Sequence, residues 1–125
     1  MEVIMVDLNM DAIPVHDKHV IEIAEIAMKT GRPIDFQYEG KTRLVEVHAV
    51  GISTAGNPVL RGYQIGGQSE TGVVPIWRLF TIKKIFDFPA IVDMKAEAPR
   101  PGYKLGDKGM SEIFFEFPTP GEAGE

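Results

Sequence analysis

Arg43, His48, Arg61, Tyr63, Arg78 and Lys84 are the residues of this sequence whose types and spacing offer chemistry. They stand in or beside apolar runs rich in β-branched and aromatic residues: Leu44-Val45-Glu46-Val47-His48-Ala49-Val50, Pro58-Val59-Leu60-Arg61-Gly62-Tyr63-Gln64-Ile65 and Pro75-Ile76-Trp77-Arg78-Leu79-Phe80-Thr81-Ile82. A guanidinium grips phosphate or carboxylate with two parallel hydrogen bonds. Arg61 and Tyr63 are two positions apart and so share one face of a strand. A cation beside a ring is how single-stranded bases are held, by charge and by stacking. Arg78 faces away from Trp77 and Leu79 and shares its side with Phe80. Lys83 and Lys84 point to opposite faces, so at most one of them lines a given site. Together these residues predict an anion-binding sheet.

Each has a plainer reading beside the functional one. Arg78 faces solvent or pairs with Glu46, the normal fate of strand charge. Arg61 is an edge arginine, and Tyr63 a core tyrosine whose hydroxyl reaches a backbone group. His48 is a hydrogen-bonded structural residue. Arg43 follows a hairpin and is either a rim charge or a ligand contact. The stretch 99–110 holds three basic residues and three glycines. Glycine-rich backbone can cradle phosphate, but no P-loop spacing is present. The plain reading there is a packed Ω-type loop closing one end of a small barrel.

No catalytic set emerges. His16 and His19 straddle a helix start with nothing to complete a metal site. There is no nucleophile elbow. Asp87, Asp93 and Asp107 are scattered among prolines and turns. The sequence has no cysteine, which removes thiol nucleophiles, thiolate metal sites and disulfides and fits a reducing compartment. The expectation is a non-enzyme with no catalytic residues, no cofactor and no metal.

The elements that position these residues follow from pattern. One helix is predicted over 17–30. Asp17 is its N-cap, and Val20, Ile21, Ala24, Ala27 and Met28 form a stripe of period 3.6. Lys29 suits the C-terminal dipole, Gly31 ends the helix and Pro33 prevents continuation. Ile34-Asp35-Phe36-Gln37-Tyr38 alternates as a half-buried strand, and Glu39-Gly40-Lys41 is a tight hairpin connection. Strands follow at 42–50, 59–65, from 73 or 76 to 82, and at 83–88. Gly62 marks a bend or bulge. Beyond 88 come a long Pro/Gly loop, with one helical turn conceivable at 92–97, and a strand at 113–117. Residues 3–8 form a short strand or a clasp, and the chain from 118 on frays. The fold class expected is α+β: one N-terminal helix, then a small SH3-like or Sm-like five-stranded antiparallel barrel, a long loop and an added C-terminal strand. The organisation is an extension at 1–16, the domain at 17–88, and a loop, strand and tail of the same domain at 89–125.

Composition sets bounds on function. With 125 residues and 44% hydrophobic content the chain fits a single domain with a modest core. The net charge of −5 argues against a generic nucleic-acid binder. Yet residues 31–86 hold seven Lys/Arg against four acids, and the rest six against fourteen. A basic middle between acidic flanks suits an anion site on the sheet. No apolar run approaches the roughly 20 residues of a membrane span, and no signal-peptide pattern opens the chain. The expected location is cytoplasmic.

The segments Gly31-Arg32-Pro33-Ile34-Asp35-Phe36-Gln37-Tyr38-Glu39-Gly40-Lys41, Arg43-Leu44-Val45-Glu46-Val47-His48-Ala49-Val50, Leu60-Arg61-Gly62-Tyr63 and Arg78-Leu79-Phe80-Thr81-Ile82-Lys83-Lys84-Ile85 together resemble the WYL domain family. The resemblance spans about residues 20–88. It departs from the family where the naming triplet aligns near Pro58-Val59-Leu60, where the last strand's arginine becomes Lys84, and where a proline becomes Val47. The resemblance implies a helix feeding an Sm-like barrel and picks Lys84 over Lys83. It also implies a ligand-sensing or oligomerising module of bacterial transcription regulators, some tied to phage defence. The implied effector is single-stranded nucleic acid or a nucleotide. No helix-turn-helix fits before the helix, so the chain is not expected to read duplex DNA by itself. The expected function is a regulatory module that binds an anionic ligand through Arg43, His48, Arg61, Tyr63, Arg78 and Lys84 and acts through a partner protein. The alternative is a structural module, bacterial or phage-encoded, that mediates homo-oligomerisation or protein docking with no small ligand.

Overall fold

A computed structural model describes residues 4–5, 12–69 and 72–118. Helix α1 runs Val15–Thr30, two residues longer at its start than the sequence predicts. Pro14 stands at the N-cap and Asp17 does not cap. Proline's fixed φ suits a helix entry, and Asp17 is buried in the first turn with its carboxylate on His16 Nδ1 at 2.8 Å. The predicted stripe of Val20, Ile21, Ala24, Ala27 and Met28 is the buried face. Gly31 ends the helix at φ 68°. Its N–H donates to the Met28 carbonyl and the Arg32 N–H to the Ala27 carbonyl, a Schellman closure.

Among the described residues seven strands form one antiparallel sheet: β1 Ile4–Met5, β2 Ile34–Tyr38, β3 Lys41–Ser53, β4 Pro58–Gly67, β5 Ile76–Thr81, β6 Ile85–Ile91 and β7 Met110–Glu116. The expected short strand or clasp at 3–8 is met by β1, which pairs with β7. The rest of that stretch, and the tail beyond 118, lie outside the described residues. Glu39 and Gly40 make the β2–β3 hairpin at φ 54° and 75°, the two-residue turn whose twist matches the strands. Strand β3 is the spine. Its first part pairs with β2, its last part with β7, and β4 runs along nearly all of it. It outlasts the predicted 42–50 because Gly51 lets β7 close in: a Cβ there would meet the Glu112 carbonyl at 2.1 Å.

From β5 the chain passes through one 3₁₀ turn, Ile82–Lys84, into β6, which returns to pair with β2. The predicted strand at 83–88 is thus shifted to 85–91. It accommodates Pro89 where the pairing slips between Asp35 and Gln37, the kind of irregularity where a strand tolerates proline. The helical turn expected at 92–97 is absent. Its backbone donors are taken elsewhere: Ala96 N–H by the Gly31 carbonyl and Glu97 N–H by the Glu46 carboxylate.

The main core lies between α1 and the sheet, with Phe36, Tyr38 and Phe80 packed edge to face at 5.0–6.3 Å between ring centroids. A smaller cluster of Ala49, Val59, Tyr103 and Met110 sits apart from it, with Trp77 and Leu79 packed alongside. No helix among the described residues is long and apolar enough to cross a membrane.

Candidate functional site

Cross-strand register assembles one face. Arg61 lies opposite Leu79, Tyr63 opposite Trp77, and Glu46 opposite Tyr63, and directly opposed residues point the same way. His48 joins Glu46 by strand alternation. It occupies a β-bulge, since Val47 pairs with Gly62 and Ala49 with Arg61. Gly62 is required here: a Cβ would meet Val45 Cγ1 at 2.2 Å.

Residues 99–109 cover this face, held by three carboxylates. Glu46 accepts from Arg100 Nε at 2.7 Å and from the other guanidinium arm at 3.1 Å, and also takes the Glu97 N–H at 2.9 Å. Glu116 accepts the Tyr103 hydroxyl at 2.6 Å and the Gly106 N–H at 3.1 Å. Asp107 accepts two bonds from Arg61, at 2.6 and 3.1 Å, and the Gly109 N–H at 2.8 Å. His48 adds a fourth tie: its Nε2 accepts the Arg100 N–H and its Nδ1–H donates to the Glu46 carbonyl, both at 2.9 Å. That pairing fixes the neutral Nδ1–H tautomer. Trp77, Tyr103 and Phe117 pack around the imidazole at centroid distances of 4.6–5.9 Å.

The charges follow from these surroundings. Burial pushes the His48 pKa down to about 4, against the smaller opposing pull of Glu46. The hydrogen bond to Glu46 raises Arg100. Burial pushes the Asp107 carboxyl up, but Arg61 and the Gly109 N–H together hold it below its ordinary value. Burial, then the bond to Glu116, raises the Tyr103 phenol.

An open cleft of about 360 Å³ lies between the sheet and residues 102–108. Trp77, Tyr103 and Leu105 supply ring and apolar surface; Arg61, Lys104 and Lys108 supply positive charge; Asp107 is the acid. Lys104 and Lys108 are exposed. The arrangement suits a planar group laid against Trp77 with an anion directed at the three cations.

The residues expected to act together are partly separated. Arg61 lines the cleft, and Tyr63 lies next to it, with Arg100 over its ring at 5.1 Å and Trp77 at 4.9 Å. His48 belongs to the same face but is fully buried with both nitrogens engaged, so it is a structural tie and not an accessible ligand contact. Arg43 is also fully buried, bonded to the Tyr38 carbonyl at 3.2 Å and lying over the Tyr38 ring. Its position after the hairpin turns it inward and away from any rim. Arg78 takes the opposite face, over Phe80 at 5.5 Å. The ion pair with Glu46 weighed for it is not made, because Glu46 shares the face of Tyr63 and Trp77, from which Arg78 points away, and Arg100 takes both its oxygens. Lys84 is exposed on the 3₁₀ turn. Arg43, Arg78 and Lys84 therefore stand outside the cleft.

Trp77, Arg100, Tyr103, Lys104, Asp107 and Lys108 were not among the expected site residues. The signal for the loop was its basic, glycine-rich stretch at 99–110. The signal for its anchors was Glu46 and Glu116, acids set in apolar strands that demand buried partners. No protein-family model matches the chain, and no curated protein or solved structure matches it.

Proposed function

We propose that the chain is a ligand-sensing module of the WYL type, built as an SH3-like or Sm-like barrel, that binds a nucleotide or the end of a single-stranded nucleic acid. The barrel reading is supported by the meander β2 to β5, followed by one 3₁₀ turn and the return of β6 to β2. The observation that carries the ligand reading is the cleft that joins the Trp77 wall to Arg61, Lys104 and Lys108. A base stacks on Trp77 and its phosphate meets the cations. The role is binding, with the state passed to a partner protein. His48 does not serve as a base, because its free lone pair is held by the Arg100 N–H.

The test is fluorescence anisotropy with short labelled single-stranded DNA and RNA at low and moderate salt. Binding that weakens steeply with salt marks phosphate contacts, and Arg61→Ala is expected to abolish it while Arg78→Ala leaves it intact. No binding at low salt overturns the reading.

A second reading, homo-oligomerisation, is favoured by a different surface. Phe86 is 74% and Phe88 48% exposed, beside a groove of about 280 Å³. Neighbouring exposed rings are the raw material of an apolar interaction patch, although Phe88 also stacks on His16 at 5.6 Å. Light scattering tests it: Phe86→Ser converts an oligomer to monomer, and a monomeric parent protein ends this reading.

A further inference from the structure

Two arginine–carboxylate straps join the loop to the sheet, and they run in opposite senses. In one, the acid belongs to the sheet (Glu46) and the base to the loop (Arg100). In the other, the base belongs to the sheet (Arg61) and the acid to the loop (Asp107). The first is locked: the Glu46 side chain is 1% exposed and also holds the Glu97 N–H. The second borders open space. Arg61 and Asp107 both line the cleft, whereas Glu46 and Arg100 do not.

Asp107 is also carried on a short span. Tyr103 and Met110 are buried anchors, and between them Lys104, Leu105, Gly106 and Lys108 are exposed while Asp107 alone turns inward onto Arg61. Its two oxygens take the Nε and terminal N–H donors of Arg61. A phosphate likewise presents a pair of acceptor oxygens to a guanidinium's two parallel N–H donors. The cleft's one sheet-borne cation is therefore already neutralised by an acid of the chain itself.

We propose that Asp107 is a built-in competitor, holding the anion position on Arg61 until a two-oxygen anion, the phosphate of a nucleotide or of a single-stranded end, displaces it. This rests on the cleft being the anion site argued above. Displacement leaves Arg61, Lys104 and Lys108 facing the phosphate with no acid among them. It moves Asp107 and its exposed neighbour Lys108, between the Gly106 N–H that Glu116 holds and the Gly109 carbonyl that takes the Thr54 N–H. That movement is the change a partner protein reads. The competition also sets specificity: an uncharged nucleoside stacks on Trp77 but has nothing with which to displace Asp107.

The experiment uses the fluorescence of Trp77, the only tryptophan, titrated with AMP, adenosine and a short oligo-dT at low salt. Asp107→Asn keeps an acceptor for the Gly109 N–H and removes the charge. It is expected to tighten AMP about tenfold, within the usual range of coupling between sites, and to leave adenosine unchanged. Arg61→Ala is expected to abolish AMP binding. If the wild type binds AMP and Arg61→Ala weakens it, but Asp107→Asn leaves it unchanged or weaker, the pair is structural: the competitor is overturned and the cleft reading stands. If neither the wild type nor Asp107→Asn responds to AMP or oligo-dT, the cleft reading fails and the competitor with it. A measurement on the unaltered protein guards against misfolding of the variant. Hydrogen exchange at the Gly109 N–H, whose acceptor is Asp107, is expected to quicken when AMP is added; unchanged or slowed exchange in AMP-bound protein overturns the competitor.

Discussion

Lowering the pH is expected to unfasten the loop through His48. The imidazole is fully buried, its Nε2 accepts the Arg100 N–H, and burial holds its pKa at about 4. Protonation puts an N–H where an acceptor is required, so two donors then face each other. In the unfolded chain the same ring titrates near its ordinary value of 6.5. A depressed pKa contributes stability that is present above the unfolded value and is lost as the pH falls toward the folded one. At 1.36 kcal/mol per pKa unit, the loss is about 2 kcal/mol by pH 5 and about 3 kcal/mol by pH 4. That is a large share of the stability of a domain this size. Urea unfolding across pH 7.5 to 4, followed by Trp77 fluorescence, measures it. His48→Asn keeps a side-chain acceptor without the titration, so its stability is expected to fall less over the same window. NMR titration of the ring gives the pKa directly. A ring that titrates near 6.5 in the folded protein, or a wild type and variant with parallel profiles, refutes the reasoning.

Two further outcomes follow from the same geometry. His16 lies between two acceptors, the Asp17 carboxylate and the Asp87 carbonyl, each at 2.8 Å; only the imidazolium satisfies both, and the hydrogen bond to Asp17 raises its pKa. Its contribution is present below the unfolded value of 6.5 and lost as pH rises through the folded pKa, so His16→Asn is expected to narrow the stability difference between pH 6 and pH 8.5 in urea melts. Glu46 and Arg100 are expected to couple by about 1.5–3 kcal/mol, the range for charged hydrogen bonds, because the acid is buried while the arginine is only partly so. A double-mutant cycle with Glu46→Gln and Arg100→Gln measures this, and coupling below about 0.5 kcal/mol would place the pair with ordinary surface ion pairs.

Local signals in the sequence carried far. The stripe from Val20 to Met28, Gly31 at the helix end, the alternation of 34–38 and the turn at Glu39-Gly40 each depend on neighbours within a few residues, and each is realised in the structure. Strand alternation also divided Trp77 and Leu79 from Arg78 correctly. It did not say which face the loop would cover. That depends on Asp107 reaching Arg61 across 46 positions and Arg100 reaching Glu46 across 54. Such pairings have no periodicity to betray them. Arg43 misled for a related reason: an arginine after a hairpin reads as a rim charge or a ligand contact, whereas the carbonyl and ring of Tyr38, the Gln64 amide oxygen and the Glu39 carboxylate help to make its burial tolerable.

The straps reconcile the proposed anion site with an acidic protein. Each carboxylate near the cleft is committed: Glu46 to Arg100, Glu116 to Tyr103 and Gly106, Asp107 to Arg61. Glu46 and Glu116 are buried and do not face the cleft. Asp107 does, and its charge is cancelled by the same guanidinium a ligand would use. Net charge therefore says little about this surface, whose local charge is set by the exposed Lys104 and Lys108 and by the Arg61–Asp107 pair. Because the Glu46 strap and His48 hold the loop at Arg100 and Glu116 holds it at Gly106, the proposed exchange at Asp107 shifts only the segment beyond Gly106. On the proposed exchange a ligand alters the outer surface without opening the fold, whereas acid acts on the opposite anchor. The two perturbations are expected to be separable: AMP should quicken exchange at Gly109 and leave Arg100 protected, and low pH should expose Arg100 first.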